Sequence, residues 1–163
     1  MSEGKVFKYG DDVNTDVIFP GKYTYTVTDR AEMARHALED LDPDFVRLVE
    51  PGDVIVAGSN FGCGSSREQA AFCLKEAGVG AVVARSFARI YFRNAINAGL
   101  PALTCPDAVD ALKAGDRVRV DLAAGTLSAG GKTYSFPPLP EEVRGILESG
   151  GLIPYTRKKL QRG

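Results

Sequence analysis

"DVIVAGSNFGCGSSREQAAFCLKEAGVGAVVAR", residues 53–85, decides the fold. The apolar run DVIVAG enters a loop holding Gly58, Gly62 and Gly64 and the serines Ser59, Ser65 and Ser66. A helical stretch from about Ser66 to Ala77 then stops at Gly78. GAVVAR follows as a short, mostly apolar strand, the kind that a parallel sheet buries on both faces. Downstream, SFARIYFRNAINAG (86–99) opens on a serine and spaces Phe87, Ile90, Tyr91 and Ile96 as a helix does. It closes at Gly99. LPALTC supplies the next strand. Residues 53–105 therefore read strand, helix, strand, helix, strand, which is an α/β unit on a parallel sheet.

On the N-terminal side, KVFKYG predicts a short strand that ends in the turn GDDVNTD. DVIFPGKYTYTV (16–27) is β-rich, with a break at Pro20–Gly21. A helix spans about 29–40, with Asp29 placed to cap it. DPDFVRLVEPGD carries turn residues at both ends. On the C-terminal side, DRVRVDLAAGTLSAGGKTYSF alternates apolar and polar residues between glycine turns and predicts antiparallel strands. PLPEEVRGILESGGL predicts a short helix closed by Gly150 and Gly151. No repeat or linker divides the chain, so a single domain over 1–163 is expected.

Composition narrows the function. The 163 residues carry 20 basic and 21 acidic side chains, a formal net charge of -1, which argues against a nucleic-acid-binding surface. The basic tail TRKKLQRG reads as solvated. No apolar stretch is long enough to span a membrane, and the N-terminus lacks the apolar core of a signal peptide. Cys63, Cys73 and Cys105 are odd in number and show no C-x-x-C pair, which argues against a disulfide framework or a zinc site. Reduced thiols fit a cytoplasmic protein. The one histidine, His36, lies in a helical run and reads as structural, so the commonest general base is nearly missing.

The glycine-rich loop fits no familiar phosphate motif. A Walker A pattern started at Gly58 meets Cys63 where glycine is required, and no lysine follows. A G-x-G-x-x-G pattern started at Gly62 ends on Arg67, and a nucleophile elbow fails at Glu68. The loop nevertheless leaves a strand and enters a helix, where unpaired amides and the helix dipole favour negative charge. Gly62 and Gly64 allow close approach, and Arg67 brings a planar fork suited to a carboxylate. Two readings stand at this point. The loop binds an anion, or Ser65 or Ser66 merely caps the helix, with Glu68 or Gln69 completing a capping box.

These residues also carry a resemblance. GSNFGCGSSREQA (58–70) followed by ARSFARIYFRNAINAGLP (84–101) is similar to the small subunits of the isopropylmalate dehydratase and homoaconitase type, in the aconitase superfamily. DDVNTDVIFPGKY (11–23) resembles the N-terminal signature of that family, and EDLDPDFVRLVEPGDVIVAG (39–58) its middle. The resemblance implies an α/β fold, the three-layer β/β/α swivelling domain, with a mixed sheet and antiparallel C-terminal strands.

For function, the resemblance implies a hydro-lyase of leucine biosynthesis that interconverts 3-isopropylmalate and 2-isopropylmalate. Homoaconitate or another substituted malate, such as dimethylmalate or citramalate, is the alternative substrate. A carboxylate-binding module without catalysis is the non-enzymatic alternative. A large subunit would be the partner and would hold the 4Fe–4S cluster, leaving no metal ligand in this chain.

Residue by residue, the resemblance implies Ser65 as catalytic base and Ser66 and Arg67 as substrate-binding. Thr24, Tyr25 and Thr26 fall in the substrate-reading loop. Asp16, Gly62, Gly64 and Arg89 would support the site, and Cys63 would pack rather than bind metal. Two positions depart from the pattern: Tyr25 stands where arginine is expected, and Gln69 where histidine is frequent.

Overall fold

A computed structural model describes residues 2–162; Met1 and Gly163 lie outside them, including the last residue of the basic tail. The chain opens with β1 (Ser2–Lys8), α1 (Thr15–Ile18) and a single 3-10 turn at Gly21–Tyr23. Then come α2 (Arg30–Arg35), α3 (Phe45–Leu48), β2 (Val54–Ala57), α4 (Gln69–Glu76), β3 (Ala81–Ala84), α5 (Arg89–Ala98) and β4 (Ala102–Thr104). The last part holds α6 (Pro106–Ala111), β5 (Arg117–Asp121), β6 (Thr126–Ala129), β7 (Lys132–Ser135), α7 (Glu141–Glu148) and α8 (Leu152–Arg162).

The strands form one mixed sheet of seven in the order β4-β3-β2-β1-β5-β6-β7. β2, β3 and β4 join β1 in parallel, whereas β5, β6 and β7 run antiparallel. β1 is shared lengthwise. Its first residues, Ser2 to Lys5, pair with β5, and Val6 to Lys8 pair with β2. One strand thus turns the parallel half into the antiparallel half, and the sheet curls over itself.

Side-chain parity confirms the layering. Ile55, Ala57, Val82, Ala84 and Ala102 point into the core under α2, α4 and α5. Their neighbours Val54, Val56, Ala81, Val83 and Leu103 point the other way, into a second core with Val118, Val120, Leu127 and Phe136 of the antiparallel half. Because alternate residues of a strand face opposite sides, the parallel strands are buried on both. The result is two β layers and one helical layer, as the resemblance implied.

Several elements differ from the sequence reading. Residues 16–27 form no strand. Asn14 caps α1 by accepting from the Val17 amide at 3.1 Å, and Ile18, Phe19 and Val27 fill the helix-side core instead of pairing in a sheet. The expected break does fall at Pro20, which starts the 3-10 turn. α2 is capped by Asp29, as predicted, but ends at Arg35. Leu38 lies at φ 56°, and its amide donates to the Ile18 carbonyl at 2.8 Å, which draws the chain away from the helix axis. α4 begins at Gln69 rather than Ser66, and α5 at Arg89 rather than Ser86. Ser86 Oγ instead accepts from the Asn60 amide at 2.8 Å. Ile90 points outward, 56% exposed, although its spacing suggested the core. α6 was not foreseen, and the described part of the basic tail is helical, with residues 156–161 exposed.

Candidate active site

In a parallel sheet the carboxyl ends of the strands share one edge, and ligands gather there. The loops after β1 and β2 meet at that edge. Backbone bonds fasten them together: the Gly62 amide donates to the Val13 carbonyl at 2.7 Å, and the Thr15 amide to the Cys63 carbonyl at 2.8 Å. Gly62 and Gly64 sit at φ 84° and 102°, in the left-handed region that glycine tolerates. The loop also lies flat on the Tyr91 ring, so a Cβ at Gly62 would come within 2.1 Å of Tyr91 Cγ. Asn94 of α5 donates to the Ser66 carbonyl at 3.0 Å, and the Tyr91 hydroxyl to the Ala70 carbonyl at 3.0 Å.

This framework presents Ser65. Its Oγ accepts from Arg67 Nε at 2.9 Å and lies 3.0 Å from Thr15 Oγ1. Arg67 is 17% exposed, and each of its three guanidinium nitrogens has a partner, which leaves two of its five N–H donors free of any bond among the described residues. One terminal nitrogen donates to Thr24 Oγ1 at 2.8 Å, and the other pairs with the Asp16 carboxylate, which is itself 71% exposed. Gln69 Nε2 donates to the Thr24 carbonyl at 2.9 Å and to the Val27 carbonyl at 3.4 Å, which ties the 24–27 segment to the start of α4.

Ser65 is therefore not a helix cap. α4 has no side-chain cap, and the Ser65 hydroxyl turns toward Thr15 and Arg67. The amides of Ser66, Arg67 and Glu68 form no hydrogen bond among the described residues, as expected of a helix start. Ser65, Ser66 and Glu68 are exposed, as are Tyr25 and Thr26, which directly follow Thr24 in the chain, Tyr25 being 93% exposed. The site is an open ledge with one wall.

Ser65, Arg67, Thr24 and Asp16 thus converge, with Gly62 and Gly64 beneath them. Arg89 does not join: no hydrogen bond or ion pair links it to the loop among the described residues, and Asn94 and Tyr91 of the same helix do the supporting instead. Sequence reasoning missed Thr15, although it precedes Asp16 in the motif, and took Gln69 only as a capping-box candidate and a departure from the family pattern.

The three cysteines do not suit an iron–sulfur cluster. Cys73 lies in the helix-side core and Cys105 in the opposite one, and burial pushes both thiols up, away from the thiolate a cluster requires. Cys63 is half-buried and serves the loop through its backbone. No group of three or more His, Cys, Asp or Glu is arranged to hold a metal ion among the described residues. Among those residues, no helix is long and apolar enough to cross a membrane. His36 stacks on Tyr23 with ring centroids 3.9 Å apart.

Layering and loop together define the class: a swivelling domain of the aconitase superfamily. The family model described as the aconitase C-terminal domain matches residues 16–108, from Asp16 through the serine loop into α6. The 3-isopropylmalate dehydratase small subunit of Caldicellulosiruptor bescii is 49% identical, over 98% of this chain and 97% of that protein. The protein of the same name from Methanosarcina acetivorans is 50% identical, over 96% of each. A crystal structure of 3-isopropylmalate dehydratase (leuD) from Methanocaldococcus jannaschii superposes with a TM-score of 0.91 at 45% identity, covering 98% of this chain and 95% of that one. On this evidence the chain belongs to the family of 3-isopropylmalate dehydratase small subunits, one part of a hydro-lyase complex.

Proposed function

We propose that this chain, as one swivelling unit, joins a large subunit to interconvert 3-isopropylmalate and 2-isopropylmalate by dehydration and rehydration in the cytoplasm, with Ser65 as the base. The observation that carries the reading is the Arg67 Nε–H donated into Ser65 Oγ at 2.9 Å. A serine hydroxyl is a poor base because its alkoxide is unfavourable in water; a guanidinium in contact stabilises that alkoxide directly. The alkoxide removes the proton next to a substrate carboxylate. The C–H electron pair becomes the new double bond as the neighbouring hydroxyl departs, and Ser65 later returns the proton.

Arg67 and Ser66 hold a substrate carboxylate. Asp16 occupies the outer nitrogen of the Arg67 fork with the same chemical group that a substrate would bring. Thr24, Tyr25 and Thr26 border that position and read the variable part of the malate. Nothing in this chain assists departure of the hydroxyl. That task, with the 4Fe–4S cluster, is assigned to the large subunit.

In the reconstituted complex, Ser65→Ala is expected to lower kcat by about 10²–10⁴-fold, the range for loss of general-base help. Exchange of the substrate hydrogen with solvent should vanish while the melting temperature stays near that of the parent. Normal exchange by the variant removes Ser65 from the mechanism.

A further inference from the structure

Thr15 is buried, 1% exposed, and its hydroxyl touches Ser65 twice. Its Oγ1 accepts from the Ser65 amide at 3.0 Å and lies 3.0 Å from Ser65 Oγ. A hydroxyl has one proton to donate and two lone pairs to accept with. With the Ser65 amide on a lone pair, the Thr15 proton needs an acceptor, because a buried donor left unpaired is costly. Ser65 Oγ is the acceptor that the described residues offer. Arg67 Nε–H already points at the same oxygen. Two donors then converge on Ser65 Oγ, and its remaining direction faces the open ledge.

We infer that Thr15 is a positioning residue for the Ser65 base: its hydroxyl donates to Ser65 Oγ and, with Arg67, forms a two-donor cradle for the alkoxide. The inference rests on the reading of Ser65 as base. The fold supplies the geometry at several points. The Thr15 amide is held by the Cys63 carbonyl, and Asn14 fixes the start of α1. Gly64 clears the approach, because a Cβ there would lie 3.1 Å from Thr15 Oγ1. Donors fixed beforehand stabilise charge without reorganising as it forms, which is why the Thr15 side chain is buried and pinned rather than free.

The test uses the complex of this chain with its large subunit, and 3-isopropylmalate as substrate. Thr15→Val keeps the shape and removes the hydroxyl, both the proton given to Ser65 Oγ and the lone pair that accepts from the Ser65 amide. It should lower kcat by about 10²-fold, the typical cost of one such donor, and change KM by less than about threefold. Thr15→Ser, which keeps the hydroxyl, should restore most of the loss. The alkoxide is harder to form without the donor, so the acidic limb of the kcat/KM profile in Thr15→Val should move to higher pH by about 1–2 units. A merely structural role lowers the amplitude and leaves the limb in place, and that outcome overturns the inference. So does full activity in Thr15→Val while Ser65→Ala is dead. Retained hydrogen exchange in Ser65→Ala instead removes the base reading itself, and the Thr15 inference with it. Thr15→Ala, which is smaller and cannot clash, carries the same expectations if the valine variant does not assemble.

Discussion

At Gly62, a single missing Cβ decides whether the site exists. The residue sits at φ 84° with the Tyr91 ring against it. Gly62→Ala adds left-handed strain of about 1–2 kcal/mol and a clash with a fully buried ring, so the total should approach 2–5 kcal/mol. Thermal unfolding of the purified chain reads this directly, and an unchanged melting temperature would mean that the loop can lift off Tyr91. Glycines, serine and arginine within one short loop were legible, because local chemistry names them. Thr15 was not, because its partner Ser65 lies 50 residues away and only the pairing of β1 with β2 brings the two together. Arg89 makes no hydrogen bond or ion pair to the loop among the described residues, for the related reason that a helix presents several faces. Its motif was visible, but the turn that reaches the loop carries Asn94 and Tyr91.

Elements show the same division between local and distant causes. The strands around the loop were readable because both of their faces are apolar, and the C-terminal strands because theirs alternate. Residues 16–27 misled because β-branched and aromatic residues suit a helix-side core as well as a strand. Asp53 shows how β1 is locked to the turn before β2. Its carboxylate accepts from the Lys5 amide at 2.9 Å, from Lys5 Nζ at 2.9 Å and from the Glu50 amide at 2.8 Å. Burial pushes this carboxyl up, but the Lys5 ammonium and the two amides together outweigh burial and hold it below its ordinary value. A carboxyl depressed by folding stabilises the protein above its unfolded value, about 3.9, and that contribution is lost as pH falls through the folded value. Asp53→Asn should therefore cost about 1–3 kcal/mol at neutral pH. The stability gap to the parent should begin to shrink as pH falls below about 4 and should close only below the depressed folded value. A gap of constant size down to pH 2 would show that the charge on Asp53 is irrelevant.

The molecule as a whole presents the Ser65 ledge without a roof. Ser65 and Ser66 are exposed, Tyr25 stands clear of the chain, and Arg67 is satisfied by this chain's own Asp16 and Thr24. Proton transfer from carbon is favoured where water is excluded and fixed dipoles replace it, which an open ledge does not achieve. A dehydration also needs help for the departing hydroxyl, and the buried, protonated thiols of Cys73 and Cys105 face different cores and cannot share a cluster. Under the proposed function both deficits have one remedy, a large-subunit surface that covers the ledge and carries the electrophile. The sequence already carried the chemical shortage on which the half-site reading rests: one histidine, three cysteines without a C-x-x-C pair and a serine that needs support to act as a base. Purified alone, the chain should be colourless, bind no stoichiometric iron and leave 3-isopropylmalate unchanged. Addition of the large subunit should restore turnover in proportion to complex formed, and the complex alone should absorb in the visible range. Iron analysis and visible spectra of the isolated chain test this before any assay is run. Stoichiometric iron–sulfur absorbance there would overturn the division of labour, because the electrophile and the base would then reside on one chain.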